Sequence, residues 1–166
     1  MKNRPAFSRQ PSRLPKQAAA TFHHEQAHGF TCVNCQHQVA VSPHMGTANR
    51  NHCPNCLWSR HVDIVPGDRQ AACHGAMQPI ALTFKAIGDK TKRGEIMLVH
   101  RCLSCAHISI NRMAGDDSEP SLIAAYETSL ISLSDEDRQV LRNAGISIAT
   151  ENDRSEISLQ LFGSTT

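Results

Sequence analysis

Cys32-Val33-Asn34-Cys35 and Cys53-Pro54-Asn55-Cys56, with seventeen residues between them, decide how this chain folds. A two-residue gap lets a tight turn aim two sulfurs at one tetrahedral ion, and two such turns complete a four-thiolate zinc site. Pro54 stiffens the second turn by setting its own φ. A third pair, Cys102-Leu103-Ser104-Cys105, follows, and Cys73 stands alone. With seven cysteines there is no complete disulfide pairing. The start of the chain, Met1 to Lys16, is basic and Pro-rich and has no apolar core segment, so it does not read as a secretory signal. A cytoplasmic protein with reduced, metal-bound thiols is the expectation.

The first zinc therefore takes Cys32, Cys35, Cys53 and Cys56. A second takes Cys102 and Cys105 with Cys73, and its fourth ligand should be a histidine. His100 precedes Cys102 by two residues on an expected strand, so both side chains share a face. His61, His74 and His107 are the alternatives, and the pairs can also be shared between sites differently. Two structural zinc ions answer a weakness of composition. Aromatics are only 4% of the chain, too few for a large core, and a structural zinc couples about 10 kcal/mol of binding to folding.

Working outward, Phe30-Thr31 feeds the first knuckle and Val39-Ala40-Val41 returns from it. Pro43 to Asn51 reads as a loop with Gly46 in a turn, and Val65-Pro66-Gly67-Asp68-Arg69 carries a turn signal. Ile80–Phe84, Glu95–His100 and His107–Asn111 read as strands, with a basic connection from Lys85 to Gly94. Beyond Gly115 the pattern changes. Ser118 with Pro120, and Ser134 followed by Asp135-Glu136-Asp137, are helix starts. Gly145 is a helix stop. Ile146/Ile148 and Ile157/Leu159/Leu161 alternate around a polar turn, which predicts a terminal hairpin. The expected fold is a small zinc-stapled, β-rich α+β protein. It divides into a basic tail (1–28) without sustained apolar periodicity, a zinc-ribbon-like domain of knuckles and hairpins (29–117), and an acidic α+β extension (118–166).

Charge is unevenly spread. Residues 1–115 hold fourteen Lys/Arg against five Asp/Glu, and residues 116–166 hold three against ten. Zinc-bound thiolates lower the first part from +9 to about +6. A basic front points to an anionic partner, with RNA or the ribosome foremost. Arg50 and Arg60 flank the second knuckle, Arg101 and Arg112 the third, and Trp58 offers a stacking surface. A protein partner engaged through the acidic extension is the alternative. A metalloenzyme would need an open position, as when Cys73, Cys102 and Cys105 alone hold the second ion and His100 or His61 acts as acid or base. No Gly-rich nucleotide-binding loop is present and no apolar run is long enough to span a bilayer.

Several motifs carry a resemblance. Arg50-Asn51-His52-Cys53-Pro54 is followed by Cys56-Leu57-Trp58-Ser59, His61-Val62-Asp63 and Pro66-Gly67-Asp68-Arg69. Cys73-x-Gly75-x-Met77, Val99-His100-Arg101-Cys102 and Asn111-Arg112-Met113-Ala114-Gly115-Asp116-Asp117 complete the set. Over residues 29–117 the chain resembles the RNHCP family of small bacterial proteins, named after that pentapeptide. The resemblance implies a zinc-binding domain and no established biochemical role. The family usually has glycine after its last knuckle cysteine; Ala106 stands there, so a looser turn is expected. Arg50, Asn51, His52, Trp58, Arg60, Arg69, Arg101 and Arg112 are the candidate nucleic-acid contacts. Arg–Asp pairing and hydrogen bonds that orient the ligands are the competing role for the polar residues among them.

Overall fold

A computed structural model describes residues 29–40, 50–88 and 92–164. The tail 1–28, and residues 43–49 of the expected loop, lie outside the described residues. A two-residue ribbon, β1 (Phe30–Thr31) against β2 (Gln38–Val39), carries the first knuckle. A four-stranded antiparallel sheet follows, ordered β3-β4-β5-β6, with β3 Ser59–Arg60, β4 Ala76–Phe84, β5 Ile96–Cys102 and β6 Ile108–Arg112. Pro79 sits inside β4, where it has no N–H to give the ladder. The strand answers with a register shift between Pro79 and Ala81.

Both faces of this sheet are covered, so β5 is a nearly continuous buried run rather than an alternating one. On one face Leu82, Ile96 and Leu98 pack with Leu57, Leu122, Tyr126, Ala149 and Ile157. On the other, Ala81 and Val99 pack with Leu141, flanked by Ile108, Ile146 and Ile148. Leu122 and Tyr126 belong to α1 (Glu119–Ser132), Leu141 to α2 (Asp135–Asn143) and Ile157 to α3 (Arg154–Phe162). Residues beyond 118 thus complete the main core. Among the described residues no helix is long and apolar enough to cross a membrane.

The helices begin where local chemistry directs. The Ser118 hydroxyl accepts from Ser121 N and the Ser134 hydroxyl from Asp137 N, so each caps an exposed donor. Gly145 closes α2 at φ 68°. The expected terminal hairpin does not form. Residues 146–148 contribute a single bridge, Thr83 to Ile148, and 154–162 are helical. The reason is a capping box: Asp153 accepts from Thr150 N at 2.8 Å and its own N–H returns to the start of the turn. Ile157 and Leu161 then share one helix face at i, i+4 and meet the core, while Leu159 is exposed.

Candidate metal centres

The three knuckles share one backbone form. In each, the N–H of the residue after the second cysteine returns to the carbonyl of the first: Gln36 to Cys32, Leu57 to Cys53 and Ala106 to Cys102, at 3.2, 2.9 and 3.0 Å. Those three residues have φ of 61°, 64° and 59°. Ala106 therefore closes its turn as tightly as the others, against the expectation of a looser one. The cost is a non-glycine residue in the left-handed region, on the order of 1 kcal/mol.

Cys32, Cys35, Cys53 and Cys56 form the first centre, their sulfurs all within 4.8 Å of one another. Neighbouring sulfurs stand 3.5–3.6 Å apart. A tetrahedral zinc with thiolates at about 2.3 Å sets that edge near 3.8 Å, so the donor set fits the ion. Burial pushes the Cys53 thiol up to about 12, while the His37 backbone N–H leads the fall of Cys35 to about 7. The Cys53 thiol, held protonated by burial, must give up that proton to become a ligand, so zinc binding carries proton release with it.

The second centre gathers His61, Cys73, Cys102 and Cys105. His61 Nδ1 lies 2.9 Å from Cys73 Sγ and 3.3 Å from Cys105 Sγ, and Cys73 is 3.6 Å from both Cys102 and Cys105. Burial lowers the His61 pKa, which keeps the neutral imidazole that a metal needs. The fourth ligand is thus His61, not His100. Two residues along a strand span nearly 7 Å, so sharing a face with Cys102 does not bring His100 to the sulfurs. His100 is fully buried instead. Its Nε2 donates to the Leu57 carbonyl at 2.7 Å and its Nδ1 accepts from Asn111 at 2.9 Å. Burial holds the ring neutral, with its pKa down to about 4. His74 and His107 are not ligands either; His107 stacks on His61 with ring centroids 4.5 Å apart. Two separate sites of four Cys/His donors fit two zinc ions.

The loop between His61 and Cys73 is shaped by carboxylates. Asp68 accepts from the backbone of Ile64, Val65 and Gln70, and Asp63 accepts from Arg69 N at 2.8 Å. The Val65–Asp68 turn puts Gly67 at φ 89° after Pro66, a backbone that favours glycine. Gly75 has a different need. A Cβ there would stand 2.8 Å from Cys102 Sγ and 2.5 Å from Ser104 Oγ, inside the knuckle itself.

Arg50 and His52 are buried and do not face solvent as nucleic-acid contacts require, while Asn51 is half-buried and lines an open cleft. The Arg50 side chain is wholly buried and bonds Asp116, Asp117 and the His52 carbonyl. His52 Nε2 meets Asp117 Oδ2 at 2.8 Å and its Nδ1 meets Asn51 Oδ1. Asn51 bonds Asn111, and Asn111 leads on to His100. The carbonyls of Pro54 and Asn55 accept from Ser118 N and Ser121 Oγ, seating the second knuckle on the start of α1. Asp116 and Asp117 went unassigned from the sequence. The signal was present as two adjacent acids beside a run of arginine motifs, but no local spacing names the partner.

The remaining candidates divide. Trp58 packs half-buried against Cys32, Val39 and Cys53. Arg101 is held by Glu136 and Asp137, both at 2.8 Å, and Arg112 by Glu95 at 2.8 Å. Arg69 pairs loosely with Asp63 at 3.6 Å. Arg60 is exposed, and its side chain makes no hydrogen bond or ion pair with a described residue. It lines an open cleft of about 530 Å³ beside the second centre, with Arg69, Asp63 and His107.

In comparison with known proteins, residues 27–123 match the family described as the RNHCP domain. No curated protein and no solved structure matches the chain.

Proposed function

The chain belongs to the RNHCP domain family, and on that premise we propose that it is a cytoplasmic, zinc-stapled module that binds nucleic acid, single-stranded RNA or a ribosomal segment first. The carrying observation is how positive charge is paired among the described residues and how it is spread along the sequence. Arg50, Arg69, Lys85, Arg93, Arg101, Arg112 and Arg154 each face a carboxylate. By sequence, residues 1–28 carry five Lys/Arg against one acid, and next to the second centre the Arg60 guanidinium has no ion pair among the described residues. Zinc supports this role by holding the knuckles, hence the cleft and Arg60, in place. Four protein donors at each centre leave no open coordination position, which favours a structural over a catalytic ion.

Fluorescence anisotropy of the zinc-loaded full chain with a single-stranded RNA tests the proposal. About five phosphate contacts should weaken the complex on the order of a hundredfold between about 50 and about 200 mM salt. Removing residues 1–28 should flatten that dependence. A complex that is absent at low salt, or indifferent to salt, sinks the proposal.

A second reading, a protein-interaction adaptor, rests on exposed apolar side chains. Ile64 and Val65 are 59% and 61% exposed on the 61–73 loop, and Ile131 is 86% exposed on α1. Their replacement by serine should abolish partner capture and leave RNA affinity alone if that reading holds.

A further inference from the structure

The open cleft between the 59–69 segment and β6 has features that the metal centres do not use. Its volume, about 530 Å³, falls within the roughly 300–1,000 Å³ typical of small-molecule sites. Two guanidinium groups line it with unused donors. The Arg60 guanidinium has no partner among the described residues. The Arg69 side chain is only 9% exposed, yet its Nη1 makes no hydrogen bond and lies 3.6 Å from Asp63. The buried Arg50, by contrast, sits 2.5 and 2.7 Å from its two carboxylates. A buried N–H without an acceptor is costly, so an acceptor brought by a ligand would be rewarded at Arg69.

The chemistry of the walls narrows the ligand. Asp63 offsets one of the two positive charges and opposes a small, fully charged anion, so phosphate alone has little to gain. The rest of the cleft offers an apolar wall, Ile64 and Ile108 among it, and the planar ring of His107. That ring is held nearly parallel to His61, 8° apart, which leaves its other face for stacking. A ligand with one phosphate and one flat heterocycle satisfies both ends.

We infer that this cleft seats a nucleoside 5′-phosphate, with the phosphate at Arg60 and Arg69 and the base against His107 and the apolar wall. The inference deepens the nucleic-acid reading and rests on it for the source of the ligand: a nucleotide within a strand rather than a free one. Arg60 binds the phosphate directly; Asp63 positions Arg69 and discriminates against inorganic phosphate.

The test is amide NMR of the zinc-loaded full chain titrated with adenosine 5′-monophosphate, with an eight-nucleotide oligoadenylate and with inorganic phosphate. The first two should move the same amides in residues 60–69 and 107–110, and inorganic phosphate should move them far less. Arg60→Gln should weaken both ligands roughly tenfold. The Arg60 side chain is exposed and has no partner among the described residues, so the variant should keep two zinc ions by native mass spectrometry. Shifts that avoid the cleft, or an Arg60→Gln variant that binds both ligands as tightly as the parent, overturn the seat. If the oligomer alone keeps full affinity in that variant, the seat fails while nucleic-acid binding stands. If the monophosphate binds in the cleft and the oligomer does not bind, the seat stands for a free nucleotide and the nucleic-acid reading falls.

Discussion

The two metal centres are built on different principles. At the first, all four ligands come from two knuckles, and the elements around it are a ribbon of two-residue strands with Phe30, Val39 and Trp58 for packing. Metal there takes the place of a core. At the second, one knuckle caps the end of a long sheet, and the other two ligands, His61 and Cys73, flank a loop. Metal there is added to a core that already exists. A zinc site can therefore make a fold or trim one, and the donor count does not tell which. The clamp of Arg50 and His52 on Asp117 joins the two regimes, because it fixes the second knuckle to the segment that follows β6.

The largest effect asks whether zinc alone can hold the domain. A chain ending at Asp117 loses Leu122, Tyr126 and Ile157 from the main core. It should lack cooperative unfolding and amide dispersion even when saturated with zinc. A well-dispersed spectrum from residues 1–117 would show that the centres suffice without the helices.

Next comes the clamp. Asp117→Ala strips the acceptor from two buried donors and from the Ala114 N–H, and should cost about 3–5 kcal/mol in urea unfolding of the zinc-loaded protein. Arg50→Ala should fall in the same range, because its guanidinium is wholly buried against acids. Losses under 1 kcal/mol for both would mean that the two regions fold independently.

The centres themselves can be separated by paired substitutions. Cys35→Ser and Cys73→Ser should each leave one zinc by native mass spectrometry. Amide exchange should rise on the order of a hundredfold over residues 30–39 in the first and over 61–75 in the second. Protection at Leu82 and Leu98 should persist in both. Loss of sheet protection in Cys35→Ser would erase the distinction drawn between them.

Ligand choice gives a sharper, smaller test. His61→Ala should reduce two zincs to one. His100→Leu should keep two and cost about 1–3 kcal/mol, because Asn111 and the Leu57 carbonyl lose a partner. The smallest effect is a gain: Ala106→Gly relieves a left-handed residue and should stabilise the third knuckle by about 1 kcal/mol in thermal unfolding.

Much of the fold was legible because it is written in short spans. The three later strands, the Ser118 and Ser134 caps and the Gly145 stop each depend on residues within one turn or one hairpin. The last helix was misread because Ile157, Leu159 and Leu161 satisfy two periods at once. The deciding feature was Thr150 with Asp153, four residues upstream of the apolar run. The charge pattern misled for another reason. Front arginines and rear acids looked like separate surfaces, yet Arg101 meets Glu136 and Asp137, and Arg93 meets Asp153 at 2.6 Å.

By itself the sequence determined the knuckles, their cysteine ligands at the first centre and the starts of the helices, since each is closed by hydrogen bonds or bond geometry across a few residues. Only the tertiary structure decided which histidine completes the second centre and which arginines are left for a partner. Those outcomes turn on strand register and, for Arg50, Arg93 and Arg101, on carboxylates more than thirty positions away, where a side chain's nearest competitor for a bond is set by packing and not by its neighbours in the chain.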